Sequence, residues 1–456
     1  MLKSLALGLL AAHSAAAMRF AMYIDEYHVT DLPGADKTQD IDYAIMAFAP
    51  SELFNSDSPA SFTPFESPDT MRKRFSPNTK LMIAIGGWGD EAGFSAAAKD
   101  DAGRKRYAKN VAAMLDANGF DGVDIDWKYP GGNGQDYKQV PNSEKTSEIE
   151  TYPKFLAAMR EAIGNKTLSI ATPARKQDFI AFNNETGPEI WKSVDMVNVM
   201  SYDILNRRDT VTGHHSSVQG SLDVVNDYLD WGLEPEKINL GFAYYAKWFT
   251  TDPNSDCATH PIGCKMVKLE NDDGSDNGKS GALTFEAGTM AAPPANLAVS
   301  TNGKCGAGEA SKCPDGQCCS AYGNCGTGDD FCQAGCLSDY GTCKGVSITD
   351  SWRRAQEDGK TDEEAGGQYY WDAETNLFWT WDTPDLIARK FSDIVEAKKL
   401  GGVMAWSLGE DTYQFAHLKA MQNGVESSTA RKGTAAKKAH AAVHKPAHKP
   451  AHKPVH

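Results

Sequence analysis

Between Asp121 and Pro130 the chain reads Asp-Gly-Val-Asp-Ile-Asp-Trp-Lys-Tyr-Pro. As an extended strand, this segment places Val123, Ile125 and Trp127 on one face and Asp124, Asp126 and Lys128 on the other. Two carboxylates and an ammonium in one row have the means to move a proton or to balance a developing charge. A buried strand tolerates such a row only if the charges pair with one another or the face looks into a solvated site. The bland alternative is an exposed edge strand with a polar face. The apolar opposite face, and the Gly122 and Pro130 that bracket the segment, weigh against it.

Something must hold that strand in place, and the flanking sequence supplies it. Short apolar runs of strand length occur at Arg19–Tyr27, Asp42–Pro50, Lys80–Trp88, Leu168–Pro173, Val194–Tyr202, Ile238–Tyr245 and Gly402–Ser407. Helical periodicity runs through Phe94–Asn118, Tyr152–Ile163, Leu222–Trp231 and Pro384–Lys399. Strands interleaved with helices predict an α/β fold, a (β/α)8 TIM barrel in preference to a doubly wound sheet. A barrel builds its site at the C-terminal ends of its strands. Tyr27, Trp88, Asp126, Lys128, Tyr202, Asp203, Tyr245 and Trp406 fall there. Aromatic side chains at strand tips make flat apolar platforms on which a ligand can stack; the alternative reading of the same residues is core packing.

Composition narrows the class further. The 456 residues suffice for one large barrel with additions. Residues 1–17 carry one Lys, a short Leu/Ala run and three terminal Ala, and read as a secretory signal peptide. No later run reaches transmembrane length. Ten cysteines in a secreted chain argue for disulfides, and the expectation is a soluble extracellular protein with no metal and no cofactor. A formal charge of −15 excludes a general nucleic-acid binder, because polyanions require a basic surface. Nothing in the composition calls for an oligomer, and a monomer is expected.

The segment at Asp121 resembles the fourth-strand signature of glycoside hydrolase family 18, the chitinases, in which Asp-Gly-x-Asp-x-Asp-x-Glu ends in the catalytic acid. Asp121, Gly122, Asp124 and Asp126 match; Lys128 stands where the family has its glutamate. Met200-Ser201-Tyr202-Asp203 and Gly402-Val403-Met404-Ala405-Trp406 resemble further motifs of the family. The resemblance implies substrate-assisted hydrolysis of N-acetylglucosamine polymers, the exception to two-carboxylate chemistry. In that scheme Asp126 orients the substrate's N-acetyl group, Tyr202 hydrogen-bonds it and Trp406 floors the subsite. Asp124 completes the catalytic set. Tyr27, Trp88, Met200, Asp203 and Tyr245 are expected to contact the sugar.

Lys128 does not fit this chemistry. An ammonium has a reference pKa of about 10.4, far from the range of a general acid near neutrality. It opposes a cationic transition state by up to about 4 kcal/mol at about 4 Å and an effective dielectric near 20. It also competes for Asp126. The expectation is therefore a chitinase-like protein that binds chitin or its oligosaccharides with hydrolysis lost or severely impaired. The alternatives are an active endochitinase, its proton supplied by another carboxylate such as Glu26 or Asp203, and a barrel acting on N-glycan cores.

Eight cysteines between Cys305 and Cys343, with the adjacent pair Cys318-Cys319, resemble a hevein-type chitin-binding module. That family's connectivity implies Cys305–Cys319, Cys313–Cys325, Cys318–Cys332 and Cys336–Cys343, with Ser320, Tyr322 and Phe331 as sugar contacts. Cys257 and Cys264 are close enough in sequence to close a small loop. A zinc site is the less favoured reading, because no His lies within the cluster.

The expected organisation is a signal peptide (1–17), a barrel in two pieces (18–255 and 345–425), an insertion and linker (256–303), the hevein-like module (304–344) between barrel strands seven and eight, and a His/Lys/Pro-rich tail (426–456). The tail contains three copies of a His-Lys-Pro unit and cannot bury a core, so it is expected to be extended and disordered. It reads as a solvated spacer, or as a weak metal binder or tether to an anionic cell wall.

Overall fold

The computed structural model describes residues 18–58, 61–286, 293–320, 323–332, 336–411 and 414–443. The expected signal peptide, the contact residue Tyr322 and the tail beyond residue 443 lie outside them.

Eight parallel strands close into a barrel. Seven come in sequence: β1 Arg19–Asp25, β2 Tyr43–Ala49, β3 Lys80–Gly86, β4 Gly122–Asp126, β5 Thr167–Thr172, β6 Met196–Val199 and β7 Ile238–Ala243. The eighth, Gly402–Trp406, pairs with both β7 and β1. This is the (β/α)8 TIM barrel expected from the alternation.

The alternation of side chains on β4 and just beyond it sorts as the strand period requires. Val123, Ile125 and Trp127 pack outward into the core shared with the helices. Trp127 is fully buried, stacked on Phe94 at 5.4 Å and edge-on to Tyr152 at 5.6 Å. Asp124 and Asp126 point into the barrel, where Ser169 of β5 stands level with Asp124 in the register.

The helical stretch read as Phe94–Asn118 is two helices, Ala92–Ala98 and Asp101–Asn118. The break comes at Asp100, whose extended backbone and short carboxylate suit an N-cap; its side chain accepts from the Gly103 N–H at 2.7 Å. Asp100→Ala is expected to lower stability by about 1 kcal/mol, read as a shift of the urea midpoint with unchanged slope.

Two further expectations need correction. The run Ile238–Tyr245 is not one strand: β7 ends at Ala243, and β8, Tyr245–Thr250, leaves the barrel. It joins β9 Ser280–Thr284, β10 Lys360–Asp362, β11 Gly367–Asp372 and β12 Leu377–Trp381 in a five-stranded antiparallel sheet of order β10-β11-β12-β8-β9. Residues 348–381, assigned above to the barrel, belong to this insertion, and Trp352 of the helix Ile348–Asp358 packs on Trp379 and Trp381 of β12. The barrel resumes with the helix Pro384–Lys390. Second, the tail is not extended from its start. A helix runs from Ala416 to Val443, favoured by the Ala, Lys and Arg content of residues 430–442.

The insertion also carries the disulfide-rich stretch. Cysteines pair as 305–319, 313–325, 318–332 and 336–343, the order implied by the hevein resemblance, and Cys257 pairs with Cys264. The sulfurs themselves form most of its buried cores, with Tyr340. Among the described residues, no helix is long and apolar enough to cross a membrane.

Candidate functional site

At the C-terminal mouth of the barrel, Asp126, Lys128, Met200, Tyr202, Asp203, Tyr245, Trp88 and Trp406 line one cavity of about 220 Å³, joined by Tyr23, Phe48 and Ala171. Five of them also line a neighbouring cavity of about 320 Å³, walled on its far side by Ser280, Gly281 and Ala282 of β9. The insertion sheet thus deepens the barrel mouth into a continuous cleft.

The floor of the cleft is aromatic. Trp406 stacks on Phe48 at 5.5 Å and tilts against Tyr23 at 5.6 Å, while remaining partly exposed. Tyr202 and Tyr245 are buried and meet edge to face at 6.2 Å. Trp88 is 45 % exposed at the rim, with the Arg208 guanidinium 5.5 Å from its ring centre. Such surfaces offer flat apolar area with polar tips.

Asp124 lies deepest. Its Oδ1 accepts from Ser169 at 2.6 Å and Asn198 at 3.1 Å, and its Oδ2 from the Tyr23 hydroxyl at 2.8 Å. Burial, and then the neighbouring Asp126 charge, push its carboxyl up to about 6 against the pull of those hydrogen bonds. The folded protein therefore takes up a proton here. This group's contribution to stability is fully present below its ordinary pKa of 3.8 and is lost as the pH climbs through 6. Ser169→Ala removes one hydrogen bond to the ionised form, so the Asp124 resonance in a carboxyl-selective 13C titration is expected to titrate at still higher pH.

Above Asp124, Asp126 is also buried, and its ion-pair partner among the described residues is Lys128. The Lys128 Nζ lies 3.1 Å from Asp126 Oδ2, while Oδ1 is buried without a hydrogen-bond partner. Burial raises the Asp126 carboxyl, and the Lys128 charge offsets part of that rise. The site residue at position 128 is thus a cation clamped on the carboxylate beside it.

Asp203, at a positive φ of 56°, turns back over the cleft. Its Oδ1 accepts from Lys247 at 2.9 Å and from the Tyr245 hydroxyl at 3.0 Å. Desolvation works against the ionised form, but Lys247, His215 and those hydrogen bonds hold its carboxyl below the usual carboxylate range. It is poorly suited to donate a proton.

Two sequence expectations fail at this level. Tyr27 is 81 % exposed and lines neither cavity, because the chain turns outward where β1 ends at Asp25. Glu26 is likewise exposed and outside the cleft lining. Ser320 is buried in the disulfide-rich stretch and Phe331 half-buried there.

The structure also places residues that sequence reasoning missed. Tyr23, Ser169 and Asn198 anchor Asp124, and Lys247 holds Asp203. Asp178 and Arg208 line the outer cleft, Arg208 gripping the Asn133 and Gly134 carbonyls while lying 3.8 Å from the Tyr137 ring centre. Tyr23, Ser169 and Asn198 sit in strands already recognised, so their inward parity was a usable signal. Lys247, Asp178 and Arg208 required the tertiary fold.

Known proteins with related sequences include a fungal "Chitinase 1" from Aphanocladium album, 27% identical over 50% of this chain and 59% of that protein. "Endochitinase 1" from Metarhizium robertsii is 32% identical over 39% of this chain and 43% of that protein. The chain thus spans about half the length of the curated relatives it matches. Among solved structures, a family 18 N-acetylglucosaminidase from Paenibacillus barengoltzii superposes with a TM-score of 0.59 at 22% identity, covering 89% of this chain and 99% of that one. Catalytic domain 2 of the Ostrinia furnacalis Group II chitinase gives 0.62 at 18% identity, covering 90% and 97%. At these identities the structural likeness speaks for the fold alone. The sequence model of the glycosyl hydrolases family 18 matches residues 19–411, most of the chain, and the protein belongs to that family.

Proposed function

We propose that this protein is a secreted chitinase-like protein that binds chitin or N-acetylglucosamine oligosaccharides and has lost hydrolysis, or nearly so. The carrying observation is the 3.1 Å ion pair between Lys128 and Asp126. Substrate-assisted cleavage asks position 128 for a proton and Asp126 for a free carboxylate. Lys128 withholds the first and occupies the second, while it places positive charge where the reaction develops more.

Binding asks for less. The aromatic floor, the half-exposed Trp88 and the polar groups of Asp203, Tyr245 and Lys247 make a cleft with stacking surfaces and convergent hydrogen-bonding groups. The disulfide-rich stretch, read as a hevein-like module with Ser320, Tyr322 and Phe331 as contacts, supplies a second attachment to the same polymer. The names of the related proteins support chitin as the ligand class.

One observation favours a second reading, that of a working endochitinase. Asp178 is buried at the wall of the cleft, its Oδ1 without a hydrogen-bond partner. Burial pushes its carboxyl up to about 6, against the Arg208 and Arg175 charges. Such a group has a protonated population near neutral pH, as a general acid requires. Calorimetric titration with chitotetraose, run beside product analysis, separates the two. Saturable binding with intact oligosaccharide supports the first reading; turnover abolished by Asp178→Asn supports the second.

A further inference from the structure

Beside Trp406, outside the sugar cleft, the ends of β1 and the eighth barrel strand bring together three groups from opposite ends of the chain. His28 Nδ1 lies 2.7 Å from Asp25 Oδ1 and 3.9 Å from Glu410 Oε1. One ligand atom of each residue falls within 4.8 Å of the other two. Bonds of about 2.0–2.2 Å to a tetrahedral zinc-type ion separate ligand atoms by about 3.3 Å. The 2.7 Å contact is a hydrogen bond that an ion between the two atoms replaces, and the 3.9 Å contact shortens toward that value.

The surroundings suit a cation. Glu410 is 6 % exposed and its Oε2 has no hydrogen-bond partner among the described residues, although it is a buried carboxylate oxygen beside a second carboxylate. Asp25 and Glu286 set further negative charge beside it. A bound cation reverses that repulsion. Asp25 is held in place by the Ser407 hydroxyl, which donates to Oδ2 at 2.5 Å, and by the Tyr27 and His28 backbone N–H groups, which donate at 2.9 and 3.1 Å to Oδ1, the oxygen that faces His28. His28, 22% exposed in its side chain, opens the cluster to solvent.

We propose that Asp25, His28 and Glu410 bind one divalent transition-metal ion of the zinc type, with solvent completing its coordination. One imidazole nitrogen and two carboxylates are a donor set that zinc accepts. The ion replaces the hydrogen bond between His28 and Asp25. Its position ties the end of β1 to the loop that follows Trp406, so it braces the aromatic floor from outside. The inference rests on the fold and not on the proposed ligand of the cleft.

The test is calorimetric titration of the full-length protein with zinc chloride at pH 8, with bound metal counted after dialysis. Because the tail carries histidines of its own, the reference protein has His440, His444, His448, His452 and His456 replaced by Ala. One equivalent is expected in this reference, with affinity reduced more than tenfold by His28→Ala and by Glu410→Gln. Glu410→Gln preserves shape, so it carries the test even where His28→Ala fails to fold. The proposal is overturned if the reference binds no zinc saturably, or if Glu410→Gln binds as tightly as the reference.

Discussion

Lys128→Glu is expected to raise the rate of chitooligosaccharide hydrolysis by about 10²–10⁴-fold over the native chain, the range general acid catalysis ordinarily supplies. The scaffold for this gain is in place. Asp126 sits at the C-terminal end of β4 and lines the cleft with Tyr202 and Trp406. A glutamate at 128 beside a buried carboxylate has its pKa raised by burial and by like charge, the two means by which enzymes keep a carboxylic acid protonated near neutral pH. The same exchange dissolves the ion pair and frees Asp126 for the role proposed for it. Release of 4-methylumbelliferone from its chitotriose conjugate measures the effect. If the variant hydrolyses no faster than the native chain, Lys128 does not have the role proposed for it.

Trp406→Ala is expected to weaken binding of soluble chitotetraose by roughly 30-fold, about 2 kcal/mol, the loss typical of a central aromatic anchor. Trp406 combines partial exposure with support from Phe48 and Tyr23, so its face is available and its orientation held. Isothermal titration calorimetry gives the number. The comparison is Tyr322→Ala in the disulfide-rich stretch, which is expected to leave tetraose affinity at the cleft unchanged while reducing retention on insoluble chitin. Equal loss of tetraose affinity in both variants would move the binding site away from the barrel.

Much of the barrel was legible because its signal is local. Strand period two alone separated Val123, Ile125 and Trp127 from Asp124, Asp126 and Lys128, and the fold keeps that division at Trp127 and Asp126. The five-stranded insertion was not legible, for two physical reasons. The run Phe242-Ala243-Tyr244-Tyr245-Ala246 is apolar throughout, with no Gly or Pro to mark where the chain leaves the barrel. The partners of β8 lie on both sides of the disulfide-rich stretch, β9 before it and β12 after, so the pairing is non-local. A hairpin signal was nevertheless present at Tyr369–Trp381, where aromatic runs flank Asp372-Ala373-Glu374-Thr375-Asn376 and Asn376 takes a positive φ of 54°.

The site divides in the same way. Residues at strand ends could be named from the alternation; Trp88, Tyr202, Tyr245 and Trp406 line the cavity, whereas Tyr27 lies two residues beyond the end of β1 at Asp25 and does not. Groups that act by pairing across the barrel, such as Lys247 on Asp203 or Asn198 on Asp124, depend on register between distant strands. The cluster of Asp25, His28 and Glu410 is the extreme case, since Glu410 meets the local Asp25–His28 pair only when the barrel closes.

The most direct measurement follows one sample of native protein with chitohexaose, calorimetry recording binding and mass spectrometry recording chain length over hours. Saturable binding with the hexaose left intact is the predicted result. Shortening of the hexaose at the ordinary enzymatic range of about 1–10³ s⁻¹ would contradict the role given to Lys128.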